Sequence, residues 1–206
     1  KIAAIGTDRL DRAKYNVGED IANPDAIMVR SAALHDLEFN PELVAIARCG
    51  AGVNNIPIER CSEAGIVVFN TPGANANGVK ELVICALMLA SRDVIGGANW
   101  AETLTSDVAK SVEKGKSAFA GCELRGKTLG VIGLGAIGAM VANAALDLGM
   151  KVVGCDPFMS VDAAWKLDPR VIKAATFDEV FAAADYLTLH VPATKDTKGM
   201  INTATL

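Results

Sequence analysis

The fold is decided by residues 128–138, which read TLGVIGLGAIG. The first five are rich in apolar and β-branched side chains, a composition typical of a buried strand. The following glycines are spaced G-x-G-x-x-G, in which Gly133 permits a tight turn, Gly135 lets backbone approach a pyrophosphate and Gly138 lets a helix pack close to the sheet. Apolar residues then continue to Leu148 at helical spacing. Because a helix N-terminus has free N–H groups and a positive dipole end, the stretch predicts a dinucleotide-binding strand, turn and helix.

A second strand is predicted directly after this helix. Gly149 is suited to end the helix, and the apolar residues 151–155 have the character of a strand. Asp156 follows at the carboxyl end of that strand, 23 residues after Gly133. A carboxylate in this position accepts hydrogen bonds from the adenosine 2′-OH and repels a 2′-phosphate. The sequence therefore predicts NAD as the cofactor, in preference to NADP.

A third β-rich run covers residues 186–191 and follows a helical patch over residues 177–184. In an open parallel sheet, ligands gather outside the carboxyl ends of the strands. Val191 and Pro192 are therefore predicted to line the nicotinamide side of the cofactor. His190 stands beside them, but a histidine at a strand end is more often a structural residue than a catalyst, and we predict a structural role for it.

The first third of the chain alternates short β-rich runs with more polar segments, a pattern that indicates a second parallel sheet. A helix is predicted over residues 58–64, closed by Gly65 in a left-handed conformation. The predicted strands are residues 2–5, 26–29, 44–48 and 66–69.

Between the two predicted sheets, apolar residues recur at helical spacing over residues 79–90 and occupy more than one face. We expect this helix to be buried on more than one side. It is either the central helix of one domain or a helix shared between two domains or two subunits, and the pattern favours neither. Residues 99–123 are more polar and are predicted to form a solvated connector at the surface.

Composition narrows the class of protein. The 206 residues are 51% apolar and 21% charged, which is typical of a soluble α/β protein with two small domains. The net charge of −4 provides no basic field for nucleic acid or an acidic membrane, so a small-molecule partner is expected. The five scattered cysteines lack metal-ligand spacing and are predicted to be reduced and structural, with no metal site. Without a secretory leader or a membrane-spanning segment, the cytoplasm is the expected compartment.

On these motifs the sequence resembles the family of D-isomer-specific 2-hydroxyacid dehydrogenases, and within it the phosphoglycerate dehydrogenases. Further landmarks appear in the family's order, and the match covers nearly the whole chain. The resemblance implies an α/β fold with a flavodoxin-like substrate domain over residues 1–72. A Rossmann domain with a doubly wound parallel sheet would follow over residues 73–206, incomplete at its C-terminus. The landmarks are residues 29–31, 47–55, 69–72 and 127–130.

The same resemblance implies the site residues. Ala136 and Ile137 match the pair that contacts the pyrophosphate, although Ala136 stands where the family often has an arginine, so that a phosphate ion pair is missing. Ala51 would approach the nicotinamide end of NAD. An anionic substrate would be held by the family's substrate-binding set, which corresponds here to Arg30, Ser31, Gly50, Gly52 and Asn75.

The implied activity is the NAD-dependent oxidation of a D-2-hydroxy acid. The resemblance favours 3-phosphoglycerate as the substrate, which would be oxidised to 3-phosphohydroxypyruvate in serine biosynthesis. The family's catalytic Arg, Glu and His should lie beyond Leu206, so we expect no catalytic residue in this chain and an inactive fragment of a longer enzyme. The alternative is a non-catalytic NAD(H)-sensing interaction protein of the same fold. A homodimer or higher homo-oligomer is expected from the apolar helix over residues 79–90.

Overall fold

The computed structural model describes residues 2–205, which form two compact units. The first unit ends at Asn75 and the second begins at Ala76. The assignment of substrate binding to residues 1–72 and NAD binding to residues 73–206 stays a prediction. Within the described residues, no helix combines the length and apolarity needed to cross a bilayer.

The first unit contains a three-stranded parallel sheet in the order β1-β2-β3. The strands are β1 (Ala26–Val29), β2 (Ala45–Arg48) and β3 (Val67–Phe69). All three were predicted, two of them one residue longer at the N-terminal end. The central strand β2 supplies Ile46, which is fully buried in a core with Leu43 and Cys61.

Helices complete the first unit. Helix α2 (Ile58–Glu63) is followed by Gly65 at φ +72°, which confirms the predicted left-handed ending. The strand predicted for residues 2–5 is wrong, because a short helix α1 (Ala4–Thr7) lies there instead. The amides of this segment bond back to carbonyl groups three or four residues earlier, and Ile5 is 83% exposed. Alanine favours helix, and among residues 2–205 no strand pairs with this segment.

The second unit contains a four-stranded parallel sheet in the order β6-β5-β4-β7. The strands are β4 (Thr128–Ile132), β5 (Lys151–Cys155), β6 (Ile172–Lys173) and β7 (Tyr186–Leu189). The chain builds outward from β4 to β6 on one side and then returns to place β7 on the other. The strand order therefore reverses between β4 and β7, the point at which ligands bind in doubly wound sheets.

Alternating side chains of β4 bury both faces of this sheet. Leu129 and Val131 pack on one side with helix α6 (Ala136–Asp147) and helix α3 (Ala76–Ser91). Ile132 packs on the other side with Val180 of helix α8 (Phe177–Ala183). Helices thus cover both faces, which confirms the predicted doubly wound arrangement. A fourth helix of this unit, α7 (Val161–Lys166), packs against α6.

Helix α3 differs from its prediction. Leu87 is buried against α6, but Leu82 on another face is 70% exposed and Met88 is 45% exposed. In this chain the helix is therefore buried on one side only. The sequence has apolar residues on more than one face of this helix, and the second unit covers only the face that meets α6.

Most of the predicted connector over residues 99–123 is helical. They contain the end of α4 (Val94–Glu102), all of α5 (Val108–Gly115) and a 3₁₀ helix (Lys116–Phe119). Trp100 packs on Phe119 with ring centroids 5.1 Å apart, which ties these short helices together. All these residues are described and none is buried, so the predicted position at the surface is confirmed.

Candidate dinucleotide-binding site

The loop that leaves β4 turns sharply at Gly133. Its φ of +86° lies in the left-handed region, and its N–H donates to the carbonyl oxygen of Cys155 at 2.9 Å. A side chain at this position would place its Cβ 2.7 Å from the carbonyl oxygen of His190, which is too close for a carbon atom. Glycine is therefore required at position 133 for two reasons: the backbone conformation is left-handed, and the residues that follow β7 come too close for a side chain.

The other two glycines of the motif have different surroundings. Apart from Gly135 and its two chain neighbours, no heavy atom of the described residues lies within 4 Å of the position that a Cβ on Gly135 would take, so the space above this residue is open. A Cβ on Gly138 would overlap the carbonyl oxygen of Gly133 and lie 3.4 Å from Cγ1 of Val131. Gly138 thus lets the first turn of α6 lie against the loop and the strand, and Gly135 leaves room for a ligand.

The N-terminus of α6 points its backbone amides out of the loop. The first backbone bond of this helix runs from the N–H of Ala139 to the carbonyl oxygen of Gly135. The preceding amides of Ala136, Ile137 and Gly138 have no partner within the helix. Gly135 is the N-cap and supplies no side-chain acceptor to them. The arrangement offers several donors and a positive dipole end to an anion.

Asp156 lies at the end of β5 beside this loop. Its Oδ2 accepts a hydrogen bond from the backbone N–H of Leu134 at 2.8 Å, and its Oδ1 accepts one from the N–H of Phe158 at 2.9 Å. The carboxylate is half-buried. The sequence placed this acid at the strand end but did not show that it bonds to the glycine loop, because spacing along the chain fixes a position and not the direction of a side chain.

The segment after β7 borders the same loop. The amide of His190 donates to the carbonyl oxygen of Ile132 at 2.8 Å, and Cγ1 of Val191 would lie 2.8 Å from a Cβ on Gly133. Pro192 follows and is exposed. The imidazole Nε2 of His190 is 3.0 Å from the hydroxyl of Thr188, and burial lowers the pKa of this histidine. A neutral, hydrogen-bonded ring agrees with the structural role predicted for it.

The predicted substrate-binding residues belong to the first unit. Arg30 and Ser31 directly follow β1 and are exposed, and Gly50 and Gly52 lie in the turn that follows β2. Since the strands are parallel, these residues share the carboxyl edge of the sheet. Asn75 comes later, is exposed and is the last residue of this unit.

Hydrogen bonds from the segment after β3 hold the turn after β2. The amide of Thr71 donates to the carbonyl oxygen of Gly50 at 3.0 Å, and the side-chain amide of Asn70 donates to the carbonyl oxygen of Ala51 at 2.8 Å. Gly50 has a φ of +151°, at the border of the region that favours glycine. The turn that contains the predicted Gly50 is therefore fixed by the segment that follows β3.

Arg48, the last residue of β2, was not among the predicted site residues. Its guanidinium lies against Gly50, where a Cβ would overlap its Nη1 atom. Its Nε atom is buried and lacks a hydrogen-bond acceptor. The signal in the sequence is an arginine at the carboxyl end of the central strand, two residues before a glycine.

The free thiols of the chain differ in their burial. All five cysteines are free, and burial raises the pKa of Cys61 and of Cys155. Cys85 and Cys122 are exposed, so a structural role for every cysteine is not what the structure shows. Across residues 2–205, no cluster of three or more His, Cys, Asp or Glu side chains could hold a metal ion.

The glycine loop, α6 and the acid at the end of β5 define a dinucleotide-binding protein with a Rossmann fold. Residues 85–206 match the family model of the D-isomer specific 2-hydroxyacid dehydrogenase, NAD binding domain. This match covers more than half of the chain, which therefore belongs to that family. The predicted resemblance and the predicted cofactor, NAD, are both confirmed.

Relatives of known activity include several D-3-phosphoglycerate dehydrogenases. The chain is 36% identical to the enzyme of Bacillus subtilis over 98% of its own length and 38% of the relative's. It is 40% identical to the enzyme of Archaeoglobus fulgidus over 88% of its own length and 33% of the relative's. The chain thus spans about a third of the length of these curated relatives.

Two solved dehydrogenase structures are also similar to this chain. The NAD⁺-bound 3-phosphoglycerate dehydrogenase of Entamoeba histolytica is 31% identical, with a TM-score of 0.64, over 94% of this chain and 56% of that one. The D-lactate dehydrogenase of Aquifex aeolicus, solved with NAD and lactic acid, is 27% identical with a TM-score of 0.64, over 88% of this chain and 52% of that one.

Proposed function

We propose that this chain is the NAD-binding part, with part of the substrate-binding region, of a dehydrogenase that oxidises a D-2-hydroxy acid. The favoured substrate is 3-phosphoglycerate, oxidised to 3-phosphohydroxypyruvate in serine biosynthesis. The observation that carries the proposal is the pairing of the glycine loop with Asp156 at the reversal of strand order. The similarity to phosphoglycerate dehydrogenases supports the choice of substrate.

The described residues fit the cofactor. NAD would supply the hydride acceptor for oxidation of the substrate carbon that bears the hydroxyl group. The amides of Ala136, Ile137 and Gly138 bind the pyrophosphate, and the carboxylate of Asp156 accepts hydrogen bonds from the adenosine ribose. Val191, which borders the loop at Gly133, lines the nicotinamide side together with Pro192. With alanine at position 136, backbone donors bind the phosphates without a guanidinium in the loop.

In the first unit we assign substrate binding to the carboxyl edge of the sheet. Arg30 and Ser31 bind the anionic acid, while the turn from Gly50 to Gly52 presents backbone amides to its carboxylate. Asn75 adds a polar contact. The exposure of Arg30 and the fixed geometry of the turn support these roles. A planar guanidinium suits carboxylate and phosphate groups alike, which agrees with a phosphorylated acid.

Proton transfer is assigned to residues outside this chain, so that the 206 residues alone bind NAD without turnover. The two histidines support this assignment. His190 bonds to Thr188, and His35 lies 2.9 Å from the carbonyl oxygen of Asn54 through its Nε2. The alternative, an NAD(H)-sensing protein without catalysis, has no better support from the comparisons.

We also propose a homodimer or higher homo-oligomer formed through the exposed face of α3, where Leu82 and Met88 leave apolar surface uncovered. For the compartment we propose the cytoplasm, since all five cysteines are free thiols.

The direct test is calorimetric titration of NAD and NADP into the full chain. We expect NAD to bind and NADP to bind at least about tenfold more weakly, because the 2′-phosphate meets the Asp156 carboxylate. The control variant is Glu102→Ala, which removes an exposed carboxylate from α4 and leaves Asp156 in place. It should not alter the affinity for NAD or for NADP. A folded chain that binds no NAD would overturn the proposal. Substrate choice is tested in the longer protein by comparing oxidation of 3-phosphoglycerate and D-lactate.

A further inference from the structure

The carboxylate of Asp156 accepts hydrogen bonds from the protein itself. Each of its two oxygens accepts one backbone N–H, from Leu134 at 2.8 Å and from Phe158 at 2.9 Å. Hydrogen bonds to an ionised acceptor are about twice as strong as those between neutral groups. An ionised carboxylate has about four acceptor sites, so about one on each oxygen stays available for the ribose hydroxyls.

Leu134 is the residue through which this carboxylate reaches the loop. It stands between Gly133 and Gly135, and glycines lose more conformational freedom on ordering than any other residue. The side chain of Leu134 is 3% exposed and packs on Gly154 of β5, where a Cβ would come within 2.9 Å of Cδ1. The bond from Gly133 to Cys155 is a second attachment to β5. The third attachment is the bond from the Leu134 amide to Asp156, and it alone depends on a side chain proposed to contact NAD.

We propose that Asp156 is a positioning residue for the glycine loop as well as the group that reads the ribose. It fixes the Leu134 amide so that the next donors, at the start of α6, are already oriented when the pyrophosphate arrives. Cofactor choice and loop geometry are therefore coupled. Replacing Asp156 to admit a 2′-phosphate also releases the loop, so such a variant loses affinity for NAD without an equal gain for NADP. This inference rests on the proposed function.

Ribose binding and loop positioning predict opposite changes in the affinity for one nucleotide when Asp156 is removed. If Asp156 acted only on the ribose, its removal would take a negative charge away from a diphosphate, and a nucleotide without ribose hydroxyls would bind equally well or more tightly. If Asp156 positions the loop, the same nucleotide binds more weakly, even though a repulsive charge has been removed. The probe is therefore 2′,3′-dideoxyadenosine 5′-diphosphate, which keeps the adenine and the diphosphate but has neither hydroxyl.

The experiment is titration of this probe into the full chain, its Asp156→Ala and Asp156→Asn variants, and the Glu102→Ala control. We expect Asp156→Ala to weaken the probe at least about fivefold. Asp156→Asn should weaken it too, since the amide has one acceptor oxygen and turns an NH₂ towards the second backbone N–H. Unchanged or tighter binding in Asp156→Ala would overturn the positioning role while leaving the proposed function intact.

A second measurement does not depend on a ligand. Amide hydrogen exchange at Leu134, measured without nucleotide, should accelerate at least about tenfold in Asp156→Ala, which removes both acceptor oxygens, while the amide of Val131 in β4 serves as the internal reference. An unchanged rate at Leu134 would overturn the inference. If the folded wild-type chain binds no NAD, the proposed function fails, and the exchange rates still decide whether Asp156 holds the loop.

Discussion

The three glycines of the loop allow a paired test, because a methyl group meets different surroundings at Gly135 and at Gly138. Alanine at Gly138 places its Cβ on the carbonyl oxygen of Gly133, which is backbone and cannot rotate away. The first turn of α6 must then move. Overpacking of this kind costs about 1–3 kcal/mol of unfolding free energy. The same movement displaces the amides that bind the pyrophosphate, so we expect NAD affinity to fall at least about tenfold.

Alanine at Gly135 is the matched partner in this test. Its Cβ enters open space, and the φ of −71° at this position suits any residue. The reduced entropy of the unfolded chain and the weaker N-cap nearly offset each other, so stability should stay within about 1 kcal/mol of the wild type. The methyl group nevertheless occupies the side from which the pyrophosphate approaches. We expect NAD affinity to fall although the fold is unaffected.

Urea unfolding followed by circular dichroism measures the first effect, and calorimetric titration of NAD measures the second. Loss of stability in Gly138→Ala alone, with loss of affinity in both variants, is the expected pattern. Normal NAD affinity in Gly135→Ala would show that the open space is not where the cofactor lies. Wild-type stability of Gly138→Ala would show that the contact with Gly133 does not limit packing.

Three further outcomes are expected. Ala136→Arg adds a cation at the start of α6 and should tighten NAD about threefold or more at low salt, with the gain lost at about 0.5 M salt, as titration at two salt concentrations would show. Val180→Ala empties space under β4 in a fully buried position and should cost about 2 kcal/mol in urea unfolding, whereas the exposed Val161→Ala should cost less than about 0.5 kcal/mol. Burial lowers the pKa of His190, so as pH falls the unfolded state takes up a proton before the folded state does. The free energy of unfolding should therefore fall as pH drops below about 6.5. His190→Gln should make the free energy of unfolding less dependent on pH between about pH 7.5 and 5.5, as unfolding experiments would show.

The nucleotide-binding half was predictable because its signals are local. The bounds of β4 and β5 are those expected, and α6 ends one residue before the predicted Leu148. A strand followed by closely spaced glycines and a helix is specified by neighbours in the chain, since the G-x-G-x-x-G spacing itself marks the turn after the strand and the start of the helix.

Features that depend on distant partners were missed. The strand expected at residues 2–5 needed a neighbour to pair with, and the bond between Asp156 and Leu134 joins residues 22 apart in the chain. The orientation of Arg48 against Gly50 likewise depends on how the turn after β2 folds back. The exposed side of α3 reflects which surfaces this chain covers, a property of the assembled unit and not of helical periodicity.

The order of strands around β4 also has a consequence for synthesis on the ribosome, where chains fold from the N-terminus as they emerge. Of the four-stranded sheet, β4 leaves the tunnel first, followed by α6, and β5 then pairs along one edge and brings Asp156 to the loop. The opposite edge of β4 stays without a partner until β7 appears, more than 50 residues after β4 ends. During that interval the nascent chain exposes an unpaired edge that can template wrong strands. Translation speed between β5 and β7 is therefore expected to affect the yield of folded protein.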